Sequence, residues 1–329
     1  MVNGLNLAFQ FLDSFAFIVL AAAGLAIIFG IMGVINLAHG EFILVGAYAT
    51  TLAVTGLSVP LPVAMLVGAV VTAAFGLVVE RTVISGAVPN RLWARLEPPL
   101  SAALPDQAAA LLPGTPLVEP LYDRLADSMV ATFGLSLVMV QGARIVFGNS
   151  IDQVATPLGE LSYGAFSYSA YRVVLAGVSV AVLALVYYVF AYTDYGMRAR
   201  AVIQDDRTAR AMGVDTERTY AVTFAFGSGL AGFTGALFAP LVSMQPTLGG
   251  QFLVEAFVAV VVGGASVVVG TVLSAGVLGA VEASVTNYFD SQTFGRIALL
   301  LAAILALRFL PGGITGYIER LRTRRREDQ

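Results

Sequence analysis

Residues 24–48 read GLAIIFGIMGVINLAHGEFILVGAY. Two apolar runs flank a short junction that holds Asn36, His39 and Glu41, with glycines at 30, 33, 40 and 46. Polar groups at membrane depth are costly and usually mark function or an internal hydrogen-bond network. The glycines point to a broken or re-entrant helix, which is tolerated only where it is buried in protein or lines a cavity. The same residues also fit a cytoplasmic turn in which Glu41 stabilises the N-terminus of the next helix. Both readings stand at this point, and Asn36, His39 and Glu41 are candidates for a substrate pathway.

The rest of the chain makes a membrane setting the simplest one. The protein has 329 residues, of which 58% are hydrophobic and 12% charged, with a mean hydropathy of +0.84. Soluble domains carry about 25% charged residues. A soluble protein of this length has too little interior for so much apolar surface. There is no cysteine, which excludes disulfides and thiolate chemistry. The one histidine, His39, leaves no multi-histidine metal site. No cofactor and no nucleic-acid partner are implied. The net charge of −3 says little, and every one of the 18 basic residues is Arg. The opening MVNGLNLAFQFLDSF lacks the basic segment of a secretory signal, so the first apolar stretch is expected to stay as a membrane helix.

A helix needs about 20 mainly apolar residues to cross a hydrocarbon core. Spans are predicted at Leu5–Ile31, Glu41–Gly56, Leu61–Val79, Ser128–Phe147, Tyr171–Tyr192, Tyr220–Val242, Phe252–Gly270, Thr271–Phe289 and Phe294–Leu310. The second is short, and the seventh and eighth run together through Gly263, Gly264 and Gly270, so the expectation is an all-α polytopic membrane protein of eight or nine helices. Arginines crowd the loop after the third span (Arg81, Arg91, Arg95, Arg124), the loop around 198–218, and the tail from Arg320. The positive-inside rule puts these three regions in the cytoplasm. The span counts between them are then even, which favours nine, and the N-terminus lies outside with the C-terminus cytoplasmic. The whole chain reads as one transmembrane domain. Residues 81–127 form its polar, Pro-rich cytoplasmic insertion, expected as a short amphipathic helix or an irregular loop. No convincing internal repeat is visible.

Two further segments carry information. Within 193–219, Met197, Ala201, Ala209 and Met212 recur at roughly helical spacing and Gly213 is a suitable stop, so Met197–Met212 is predicted as one short amphipathic helix that could dock on a partner. A solvated loop that merely obeys the charge rule is the plainer alternative. The other segment is Thr223–Gly232, with Phe226 and Ser228, continuing to Pro240, Gly249-Gly250 and Glu255. Most of its glycines fit plain close packing of helices in lipid. Its Gly227-Ser-Gly-Leu-Ala-Gly232 has dinucleotide-loop spacing but lies inside an apolar helix with no preceding strand, and no phosphate-binding loop occurs anywhere. Phe226, Ser228 and Glu255 join the pathway candidates.

Four stretches together resemble the permeases of branched-chain amino acid ABC importers: 24–48 as quoted, YGMRARAVIQDDRTARAMGV at 195–214, FGSGLAGFTGAL at 226–237, and VVVGGASVVVGTVLSAGVLG at 260–279. They occur in the family's order and cover most of the chain outside the 81–127 insertion, which is longer than the pattern expects. Within the family, MGVINLAHGE and TFAFGSGLAG look most like the urea-type branch, while amino-acid branches carry very similar INLAHGE segments. The resemblance implies a second permease subunit, identical or homologous, two cytoplasmic ATPase subunits, and an extracytoplasmic solute-binding protein. It also implies that Gly196, Arg198, Arg200, Ala201 and Gly213 belong to the segment that engages the ATPase, and that this chain itself catalyses no reaction. Urea or a short-chain amide is the expected substrate, because Arg144, Arg172, Arg296 and Arg308 all fall near span ends and no carboxylate clamp is visible within a span. Branched-chain amino acids are the alternative. A secondary transporter or channel, resting on Glu41, Glu255 and Glu282, is the competing class.

Overall fold

The computed structural model describes residues 2–104, 112–113, 116–122, 124–163, 166–264, 266–310 and 312–327. The chain is almost wholly helical. In order the helices are α1 (Val2–Met32), α2 (His39–Leu57), α3 (Leu61–Val79, continued by a π turn Glu80–Ile84), α4 (Ala87–Ala103), α5 (Leu125–Phe147), α6 (Ala170–Tyr192), α7 (Asp194–Gln204), α8 (Asp206–Ala211), α9 (Thr216–Phe238), α10 (Gly249–Gly263), α11 (Val267–Phe289), α12 (Gln292–Phe309) and α13 (Gly313–Glu327). One antiparallel hairpin, β1 (Glu160–Tyr163) and β2 (Phe166–Ser169), precedes α6. In lipid a helix satisfies its own backbone, which is why long apolar runs take this form.

Among the described residues, eight helices are long and apolar enough to cross a membrane, and α10 is a shorter apolar helix. The predicted seventh span therefore stops at Gly263, where Gly264 adopts φ +84 and ends the helix, and does not continue to Gly270. Residues 81–127 hold α4, which buries none of its side chains against the rest of the chain. The insertion begins later than expected, because the π turn carries the α3 span through Arg81 to Ile84. Part of the insertion, 105–111, 114–115 and 123, lies outside the described residues.

Burial separates a core from a periphery. α1 and α9 are largely buried, whereas α5, α6 and α12 present rows of exposed apolar side chains such as Val130, Val138, Ile145 and Ile304. The core has an inverted symmetry. α1 and α9 run antiparallel, with Gly24 against Gly227 and the Thr234 hydroxyl donating to the Leu20 carbonyl at 2.8 Å. α9 packs on α2 and α3, and α1 packs in the same way on α10 and α11. The two triplets α1–α3 and α9–α11 are thus counterparts. What the two triplets share is small residues at their crossings, Gly24 with Gly227 between α1 and α9 and Gly40 with Gly249 between α2 and α10. No repeat is visible in the sequence because the packing asks only for small residues at crossings, and because linkers of unequal length, 33–38 and 239–248, shift the register.

Candidate functional site

The centre of the inverted pair is the meeting of two helix N-termini. A Cβ on Gly249 would lie 2.6 Å from the Gly40 carbonyl carbon and oxygen, so the contact requires glycine. His39 is the first residue of α2, fully buried, and its Nε2 pairs with the Ala21 carbonyl at 3.0 Å. Ala21 lies about three turns before the end of α1, roughly 16 Å along the axis. α2 therefore starts well inside the bundle, and residues 33–38 return to that level as irregular backbone. Buried irregular backbone must find partners. Here α5 supplies them: Thr132 Oγ1 lies 3.0 Å from both Leu37 N and the Ile35 carbonyl, and Ile35 N donates to Ser128 Oγ at 3.3 Å. Asn36 Oδ1 accepts from Ala38 N at 3.0 Å. This geometry is that of a broken helix and not of a surface turn. Sequence reasoning missed Ser128 and Thr132; the signal available was two hydroxyls four residues apart on one face of an apolar helix.

The remaining pathway candidates scatter. Glu41 borders an apolar cleft between α2 and α5 that also holds Tyr48, Met139 and Phe147, and its Oε2 has no hydrogen-bond partner. Ser228 is fully buried against Gly76 of α3, where it serves the α3–α9 contact, and Phe226 is partly buried against the core. Neither lines the cavity described next.

Glu255 does. A cavity of about 250 Å³ opens where α1, α6 and α12 begin and α9 and α11 end. Its wall carries three carboxylates, Asp13, Glu255 and Glu282, and two guanidinium groups, Arg172 and Arg296. Asp13 and Arg172 form a close ion pair. Arg296 Nε stands 3.6 Å from Glu255 Oε1, and Glu255 Oε2 is buried without a hydrogen-bond partner. Phe17 and Phe238 form the floor, backed by Phe252, with ring centroids 4.9–5.5 Å apart. Arg172 and Arg296 do stand near span ends, as the sequence indicates, yet folding turns both into one site. A separate aromatic pair, Phe224 against Phe42 at 5.8 Å, lies where α9 packs on α2.

At the opposite end of the bundle, α7 packs beside the ends of α1, α10 and α12, where Ile203, Phe29, Gly30, Gly264, Leu307 and Gly312 line a second cavity. The predicted single helix Met197–Met212 is two helices, broken at Asp205. That side chain accepts from Arg207 N and Thr208 N and so caps α8, an alternative to helix continuation that Asp offers readily. The Thr208 hydroxyl and backbone hold the Asp205 carboxyl below the usual carboxylate range. Gly213, at φ +89, ends α8 with paired bonds from Gly213 N to Arg210 O and Val214 N to Ala209 O. Gly196 is buried, and a side chain there would strike the Phe190 backbone. Arg198 and Arg200 are exposed and Ala201 is half-buried.

A broken-helix core wrapped by lipid-facing helices, with a charged cavity at one end, defines a multi-pass membrane translocation protein. A sequence model of the family described as branched-chain amino acid transport system, permease component, matches residues 7–309, and the chain belongs to that family. It is 28% identical to the high-affinity branched-chain amino acid transport system permease protein BraD of Pseudomonas aeruginosa, over 96% of this chain and 94% of the relative. Identity to the corresponding protein LivH of Escherichia coli K12 is 27%, with the same coverage. A probable permease of the same kind in Methanocaldococcus jannaschii is 25% identical over 91% of this chain and 88% of its own length. No solved structure matches.

Proposed function

We propose that this chain is a membrane-spanning permease subunit of an ABC importer for branched-chain amino acids. The observation that carries the reading is the cavity with both signs of charge at one end of the bundle, in a chain whose family is branched-chain amino acid permeases. Lone arginines near span ends suggest a neutral solute, whereas arginines and carboxylates converging on one cavity suit a zwitterion. In this reading the Arg-rich α7–α8 segment and α13 face the cytoplasm, two ATPase subunits dock on α7 and α8, and the charged cavity faces the solute-binding protein outside. A second permease subunit covers part of the exposed apolar periphery. The Phe floor under the cavity and the intact Gly40–Gly249 contact fit a state open toward the outside, and exchange between the two inverted triplets supplies the bistable packing a transporter needs.

The test is uptake of labelled leucine and labelled urea at micromolar concentration by cells with and without this gene. Loss of leucine uptake alone supports the reading. Loss of urea uptake with leucine uptake intact supports the second reading, urea or a short-chain amide, which rests on the likeness of MGVINLAHGE and TFAFGSGLAG to the urea-type branch.

A further inference from the structure

We infer that the outer cavity is a binding site for a free α-amino acid, in which Arg296 takes the carboxylate, Glu255 with Glu282 takes the ammonium, and Phe17 with Phe238 receives an aliphatic side chain. The inference rests on the importer reading and adds to it a substrate site in the permease itself, besides the one on the solute-binding protein.

Asp13 and Arg172 close on each other, so their attraction is spent internally. Arg296 is different. Its side chain is half exposed, and the one ion pair it makes among the described residues, to Glu255, is long at 3.6 Å. A guanidinium has five donors in a planar fork suited to a carboxylate. Arg296 lines the cavity. Glu255 is only 7% exposed, and its Oε2 has no hydrogen-bond partner. A buried polar atom without a partner costs free energy, and such an atom in a native cavity calls for a ligand. The donor that a carboxylate wants is an ammonium. Glu282, on α11, adds a second carboxylate to the same wall.

The spacing also fits. The carboxylate and ammonium of an α-amino acid hang on one carbon atom. Arg296 and Glu255 approach to 3.6 Å, so one such headgroup can bridge them as both charges swing toward it. The cavity, at about 250 Å³, is just below the usual small-ligand range of roughly 300–1,000 Å³, which suits one small solute and excludes a peptide. Below the charges lie the Phe17 and Phe238 rings, a floor that can desolvate a branched aliphatic chain but offers nothing to a second polar end. Urea uses neither charge. An amino acid uses both and also the floor.

The site is probed with the full-length protein in lipid nanodiscs, by binding of labelled L-leucine in competition with L-leucinamide, 4-methylpentanoate and urea. Leucine is expected to bind, and each analogue lacking one charge, as well as urea, to compete at least tenfold more weakly. Arg296→Gln is expected to weaken leucine at least tenfold while leaving leucinamide unchanged, and Arg296→Lys to restore part of the loss. Glu255→Gln is expected to weaken leucine and leave 4-methylpentanoate unchanged. Equal competition by leucine and leucinamide, or leucine binding unaltered in both glutamine variants at normal abundance, overturns the site. The cellular uptake assay separates the two levels: gene-dependent leucine uptake that survives Arg296→Gln and Glu255→Gln removes this site and keeps the importer, whereas leucine uptake independent of the gene removes the importer.

Discussion

The Tyr122 hydroxyl donates to Glu80 Oε1 at 2.5 Å, joining the chain just ahead of α5 to the end of the α3 span. Glu80 is fully buried, Arg81 reaches it at 3.4 Å, and its second oxygen has no hydrogen-bond partner. Burial and then the carboxylate itself keep the Tyr122 phenol protonated far above its ordinary range. The Tyr122 ring also packs, tilted by 37°, against Tyr220 at the start of α9, with centroids 4.4 Å apart. Glu80 is thus sealed inside the bundle, whereas Glu282 of α11 lines the open outer cavity.

Tyr122→Phe keeps the ring and removes the donor. The expected cost is about 1–3 kcal/mol, the desolvation penalty of a buried acceptor left unmet. Thermal unfolding in detergent should show it as a lower midpoint. Adding Glu80→Gln should recover part of the loss, and an unchanged midpoint in Tyr122→Phe would mean that the bond contributes nothing net.

Close approach at the centre predicts a sharp difference between glycines. Gly40→Ala drives a methyl into the Gly249 backbone, whereas Gly177→Ala meets nothing within 4 Å. Overpacking of this kind costs about 1–3 kcal/mol or more where the neighbour is backbone and cannot yield. Membrane abundance and uptake should fall for Gly40→Ala and hold for Gly177→Ala. Equal behaviour of the two variants would show that the helix N-termini do not need this contact.

The irregular segment 33–38 depends on α5 for its hydrogen bonds. Thr132→Val preserves shape and removes the hydroxyl, leaving Leu37 N and Ile35 O short of a partner at a cost of about 1–3 kcal/mol. Uptake is expected to drop more than abundance, and Thr132→Ser to behave like the wild type. The same split is expected for Asn36→Leu, which deletes the acceptor for Ala38 N. Uptake that falls only in step with protein level would confine the segment to a structural role.

Arg198 is exposed on α7 at the end of the bundle opposite the charged cavity. Arg198→Glu should leave abundance and leucine binding by the permease intact and abolish substrate-stimulated ATP hydrolysis in the reconstituted complex. Wild-type stimulation would remove this surface from coupling.

Hydropathy alone determined that this chain is a polytopic helical membrane protein, because an apolar run of about 20 residues has few other solutions in lipid. The glycines and polar residues at 30–41 fitted a broken helix and a surface turn equally, and the doubled Asp205-Asp206 held the signal that ends α7, a signal outweighed by the apolar spacing of Met197–Met212. Three things waited for the tertiary structure. The depth of His39 follows from its bond to Ala21, eighteen positions away, which no local pattern encodes. The inverted repeat is written in helix crossings that demand only small side chains, so its sequence trace is faint. The charged cavity draws Asp13, Arg172, Glu255, Glu282 and Arg296 from five helices. In sequence they are separate charges, some at span ends and others, such as Asp13 and Glu282, within predicted spans, and only the packing of those helices decides that they face one another.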